Sequence, residues 1–151
     1  MFKKMQWKIV VIFVALVLAI MIMIGGYMFN SIVKMYSGSF NEQMDKVMSG
    51  DFTIALSDVL KSQLSDGEKV EKINTVISAY SAQLGLSEQR QCAVLNAADA
   101  SRIATTATVT DTLEKTPNII RAMSKEVGRS SKFIASYMDY AYYMESGGQG
   151  Y

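Results

Sequence analysis

Residues 9–29 read IVVIFVALVLAIMIMIGGYMF, a run without a charged side chain. Coiled as a helix at about 1.5 Å per residue it spans roughly 31 Å, the thickness of a bilayer's hydrocarbon core. Leu, Ile, Val and Phe fill thirteen of its positions. Together they favour insertion by about 4–8 kcal/mol as an upper bound. A buried helix of a soluble core keeps a polar stripe, and this run has none. A cleaved signal peptide carries an apolar core of about 7–15 residues and then small ones. Here the run is longer and continues into bulky Tyr27, Met28 and Phe29. The reading is a retained transmembrane helix over 9–29.

Charge sets its direction. Lys3, Lys4 and Lys8 precede the span, and Lys34 is the one close cation after it. The positive-inside rule places residues 1–8 in the cytoplasm and 30–151 outside, in a single pass with the lipid bilayer as first partner. Of 15 basic residues three precede the span, leaving 12 against 14 acidic ones. That balance argues against nucleic acid as a partner, which needs a basic face. The chain has no histidine and one cysteine, Cys92. It therefore lacks the commonest general base and metal ligand, any phospho-accepting histidine, and any internal disulfide. The sequence holds no phosphate-binding glycine loop and no nucleophile elbow. Catalytic, cofactor and metal residues are all expected to be none.

From residue 30 the apolar positions Ile32, Tyr36, Phe40, Met44, Met48, Phe52, Leu56, Leu60 and Leu64 recur every fourth residue. Such spacing keeps one helix face apolar. The transmembrane helix is expected to run straight into this juxtamembrane helix, with a kink at Ser49-Gly50-Asp51 capped by Asp51. Ser65-Asp66-Gly67 reads as the first break. A second helix follows, with Val70, Ile73, Val76, Ile77, Tyr80 and Leu84 inward and Gly85 closing it. Helices thus fill 30–86.

From 87 to 151 the texture is α+β. Apolar stretches at 92–95 and 102–104 flank Asn96, Ala97, Ala98 and Asp99, which reads as a hairpin. Thr116-Pro117 starts a short helix, with Thr116 as N-cap and Gly128 as its close. Ile119, Ile120, Met123 and Val127 are expected to face inward. Residues 133–144 read as an aromatic strand. In it Tyr140 and Tyr142 share one face and Tyr143 takes the other. The glycine-rich 146–150 turns that strand toward a partner that Tyr151 barely begins. A hairpin lacking its return strand is the expectation, and with it a longer protein of which this is the first part.

Two sets of residues are candidates for function. Tyr137, Tyr140 and Tyr142 bring apolar area with polar tips and are candidates to line a small-molecule pocket, against the ordinary alternative of sheet core. Arg90, Arg102 and Arg121 are weaker candidates for an anionic ligand. Tyr36, Phe40, Met44, Met48 and Phe52 form a stripe suited to a parallel homodimer seam, or to packing on their own domain.

The order of parts resembles the membrane-bound sensor histidine kinases of Gram-positive bacteria. It is nearest in layout to the WalK-like type, with an extracytoplasmic PAS-like domain. The residues carrying the likeness are FKKMQWKIVVIFVALVLAIMIM, YSAQLGLSEQRQCAVLNAADASRIATTA, EKTPNIIRAMSKEVG and YMDYAYYMESGGQGY. The resemblance implies an incomplete PAS-like antiparallel sheet with short helices over 87–151. It also implies a two-component phosphorelay whose dimeric kinase core, with ATP, Mg and a response regulator as partner, lies outside these 151 residues. A chemoreceptor, a cyclic-dinucleotide enzyme or a complete anchored surface binding protein would share the same outer layout.

Overall fold

The computed structural model describes residues 2–106, 115–130 and 138–151. It divides into two units, 1–36 and 37–151. Helix α1, Phe2–Met48, is unbroken across the expected membrane boundary. Its segment from Met5 onward contains a window long and apolar enough to cross a membrane, none of it buried. By length and composition alone this helix is a candidate membrane span or signal sequence. Apolar side chains cover the whole circumference of the first unit, Ile22 and Tyr27 among the most exposed. So large an exposed apolar surface is what a membrane span or a signal sequence presents.

The second unit starts on the last turns of α1. The chain breaks where glycine was expected to break it, but the cap differs. Gly50, in extended conformation, takes the N-cap position of α2 (Asp51–Lys61), and Asp51 is its first helical residue. Thr53 Oγ1 donates to the Met48 carbonyl at 2.6 Å and closes the gap. The next break falls at 62–65, earlier than the sequence suggests. Ser65 and Glu68 form a reciprocal capping box, so α3 (Asp66–Ala79) begins at once, with Asp66 and Gly67 in its first turn. A short α4 (Ser81–Leu84) ends at Gly85 in the left-handed conformation, as expected.

The apolar stripe of α1 and α2 meets α3 in a core. Met44 and Val47 come from α1, Phe52, Leu56 and Leu60 from α2, and Ile73 and Ile77 from α3. Ile73 and Ile77, one turn apart, are fully buried. Phe52 and Tyr80 meet edge to face, ring centres 5.5 Å apart.

The remaining chain adds antiparallel pairs. Strand β1 (Ala93–Leu95) pairs with β2 (Arg102–Thr105), with a register shift at Val94/Leu95. Side chains build their turn without glycine: Asn96 accepts from the Ala98 N–H and Asp99 from the Ser101 N–H. Ala100 takes the positive φ, 60°. Thr116 caps α5 (Pro117–Met123) by accepting from the Ile119 N–H. That helix stops earlier than expected, and Lys125, not Gly128, turns left-handed after it. Inside it sit Asn118 and Ala122, while Ile120 is 54% exposed, contrary to the expected inward face. Gly128 instead opens β3 (Gly128–Arg129), which pairs with β4 (Tyr140–Ala141).

Finally β5 (Glu145–Ser146) and β6 (Gln149–Gly150) form a hairpin over Gly147 and Gly148, both at positive φ. That is the geometry of a primed two-residue turn. The return strand therefore has its first residues. Tyr151 and Met144 exchange backbone hydrogen bonds of 2.8 and 2.9 Å. The Ala97 N–H reaches the Gly150 carbonyl at 3.0 Å, tying the last hairpin to the first. Ser146 Oγ, buried, donates to the Ser57 carbonyl at 2.9 Å and fixes the same hairpin on α2. The described strands thus make a mixed helix-and-sheet fold of three two-stranded ladders where one sheet was expected. Much of the expected strand over 133–144, Tyr137 included, lies outside the described residues.

Candidate functional site

Within the second unit the elements leave a cavity of about 630 Å³. That volume falls in the range of small-molecule sites, roughly 300–1,000 Å³. One side is apolar: Phe40, Met44 and Met48 of α1, with Phe52 and Leu56 of α2. Tyr140, Tyr142 and Tyr143 also line it, and Thr116 and Asp139 bring polar groups to the lining.

Of the predicted pocket tyrosines, Tyr140 and Tyr142 line this cavity and Tyr137 lies outside the described residues. Tyr143, expected on the opposite face, lines it too. Strand β4 is only two residues long, so strict alternation ends at Ala141. Tyr142 is 39% exposed at the rim. Among the arginines, Arg90 and Arg102 reach the cavity and Arg121 does not border it. Arg90 is already engaged, its guanidinium over the Phe40 ring at 5.1 Å and Nη1 donating to the Leu84 carbonyl.

The stripe read as a dimer seam divides. Tyr36 is 61% exposed, but Met44 and Phe52 keep only 6% and 2% of their surface. Phe40 and Met48 pack against the same core. Four of the five seam residues therefore pack on their own domain: all four line the cavity or join the core beside it.

Two polar clusters flank the cavity, and sequence reasoning missed both. In the first, Asp45 of α1 accepts from the Tyr140 hydroxyl at 2.7 Å. It also accepts from Arg129 Nη2 at 2.9 and 3.0 Å to its two oxygens. The Tyr140 bond, followed by Arg129, holds the Asp45 carboxyl below its usual range against a partial desolvation. Burial, and then the adjoining carboxylate, push the Tyr140 phenol well up. Asp45 reads in sequence as one more acid on a solvated helix face, and nothing local to it announces partners eighty or more residues away.

In the second cluster Asp139 gathers Thr116 Oγ1, Asn118 Nδ2 and Ser130 Oγ. Asn41 of α1 joins through a 3.0 Å bond from Nδ2 to the Ser130 carbonyl. Only the Thr116 cap was legible beforehand.

Cys92 lies in the cavity wall, and burial pushes its thiol up to about 11, away from nucleophilic use. Among the described residues no three His, Cys, Asp or Glu side chains converge to hold a metal ion.

The class that fold and site define is a mixed helix-and-sheet domain with a mostly apolar, half-open cavity, in a chain that also carries a long apolar N-terminal helix. Comparisons with protein-family models, curated proteins and solved structures return no match.

Proposed function

We propose that this chain is the membrane-anchored, extracytoplasmic input region of a two-component sensor histidine kinase. The observation that carries the reading is the cavity, whose apolar wall belongs to the same helix, α1, that runs on as the apolar N-terminal segment. A ligand there would touch Phe40, Met44 and Met48 directly. A helix carries a small displacement along its axis without bending, which suits it to reporting occupancy across a bilayer.

In this reading the lysine-rich start stays in the cytoplasm and 30–151 faces outward, with 87–151 as its PAS-like sensor. Exposed Ile32, Met35 and Tyr36 offer a seam for a homodimer. ATP, Mg and the response regulator engage a kinase core beyond these residues, since a phospho-accepting histidine has to come from elsewhere.

The test uses the full-length gene product in proteoliposomes with radiolabelled ATP. Autophosphorylation on histidine that rises or falls when a small-molecule library is added outside supports the reading. Absence of phosphotransfer, or protection of 37–151 from protease added to intact cells, sinks it.

A further inference from the structure

Helix α1 meets the cavity through the apolar side chains of Phe40, Met44 and Met48, and beside them it accepts a hydrogen bond from a cavity-lining side chain. The Tyr140 ring lines the cavity, and its hydroxyl is the donor to Asp45 on α1. One helical turn earlier, Asn41 makes the second polar tie, to the Ser130 carbonyl. Both ties hold the β3–β4 pair, which the Asp139 cluster fastens in turn to the start of α5. The polar wall is therefore one linked body, attached to α1 at Asn41 and Asp45 and otherwise through apolar packing.

We infer that the Asp45–Arg129–Tyr140 junction is a coupling latch: filling the cavity parts Tyr140 from Asp45 and frees the last turns of α1. The inference rests on the sensor reading above and deepens it by naming the contact through which occupancy reaches the helix. Apolar side chains slide past one another over an ångström with little change in energy. A 2.7 Å hydrogen bond does not, and it is gone by about 3.6 Å. A ligand that displaces Tyr140 from α1 as it fills the cavity would therefore cut this bond well before it disrupts the core.

The closed state also carries a defect that the open state can mend. Asn41 Oδ1 is buried with no hydrogen-bond partner. Such a group costs free energy until water or another donor reaches it. A junction with one strong bond and one orphaned acceptor is poised between two arrangements, which a ligand can bias.

The test needs no known ligand. Cys92 is the sole thiol and lies in the cavity wall, so it can tether a filler. The full 151-residue chain in lipid nanodiscs is treated with benzyl methanethiosulfonate, or with the methyl reagent as a small control. Hydrogen exchange is then followed at amides 41–48. The benzyl adduct is expected to speed exchange there about tenfold in the wild type, and the methyl adduct under about twofold. In Tyr140→Phe those amides should exchange fast before labelling, and the benzyl adduct should add under about twofold. If that variant does not fold, Asp45→Ala, which removes the acceptor, carries the same comparison. An unchanged wild type, or an equal rise in wild type and variant, overturns the latch. Because burial raises the Cys92 thiol to about 11, labelling is run at about pH 9 with a urea-unfolded control. If both reagents label the unfolded chain and neither labels the folded one, no accessible cavity reaches that thiol, which overturns the sensor reading beneath the latch as well.

Discussion

The Tyr140 hydroxyl lies 2.7 Å from the Asp45 carboxylate, joining a strand of the last third of the chain to helix α1 across ninety-five positions of sequence. The same carboxylate takes the Arg129 guanidinium, so one acid organises three elements. The pair with Arg129 is open to solvent, its two side chains keeping about half their surface. Screening leaves such an ion pair worth little by itself. The phenol bond, partly covered and charge-assisted, is the stronger link.

A double-mutant cycle separates the two. Tyr140→Phe and Asp45→Ala should each lower unfolding free energy by about 1 kcal/mol, with a coupling of about 0.5–1 kcal/mol between them. Arg129→Gln should show a smaller coupling to Asp45. Urea unfolding of the full chain in detergent, followed by tyrosine fluorescence, measures all three. A vanishing Tyr140–Asp45 coupling contradicts the geometry.

Asp45 also predicts a pH dependence. The Tyr140 bond, then Arg129, lowers its folded pKa from the ordinary 3.8. A carboxyl depressed on folding adds stability that is fully present above the unfolded value and disappears as pH falls through the folded one. The loss should therefore begin near pH 3.8 and deepen below it. Carbon-detected NMR titration of the Asp45 carboxyl is expected to give a midpoint under 3.8 in the wild type. In Tyr140→Phe that midpoint should move upward. An unmoved midpoint in the variant would assign the shift to some other neighbour.

What sequence could and could not disclose follows from the range of the forces involved. The apolar run, the four-residue beat through Leu60, the Thr116 cap and the left-handed Gly85 are local signals, and each is where it was expected. The Asn96–Asp99 hairpin was legible because its turn is built by side chains bonding two residues along. The errors come from competition between local and distant partners. Gly128 looked like a helix stop but is held in β3 by its fit against Asn118. Ser65 looked like part of a break, yet its bonds with Glu68 start a helix immediately. Four seam residues turned inward because the folded domain offered them a core and a cavity wall. The cavity's polar edge was invisible for the same reason. Asp45, Asp139 and Ser130 acquire meaning only from partners that folding brings to them.

Gly128 tests one of those distant fits. A Cβ there would stand 2.3 Å from the Asn118 carbonyl oxygen and 2.6 Å from its Cα. Asn118 is buried and its amide holds Asp139, so it has no room to recede. Gly128→Ala should cost about 3 kcal/mol, at the upper end of overpacking penalties. Gly67→Ala, in the first turn of α3 with open space around it, should stabilise by about 0.5–1 kcal/mol. Chemical denaturation of the two variants side by side checks the contrast. A well-tolerated Gly128→Ala would mean that α5 and β3 are not in such close apposition.

Ala100 is the converse case, a residue where glycine belongs. Its φ of 60° is left-handed. That conformation costs an alanine about 1–2 kcal/mol, because Cβ crowds the following carbonyl. The turn holds it there regardless. The Ala100 N–H donates to the Asn96 carbonyl and the Asn96 N–H to Ser101, both at 2.8 Å. Ala100→Gly removes the crowding but returns about 0.5–1 kcal/mol of extra backbone entropy to the unfolded chain. The remainder should stabilise the domain by about 0.5 kcal/mol and raise Tm by about 2–4 °C. Ala97→Gly, in the same turn but without a positive φ, gains nothing from relief and should lower Tm. Thermal unfolding that ranks the two variants in the opposite order would place the strained residue elsewhere in the turn.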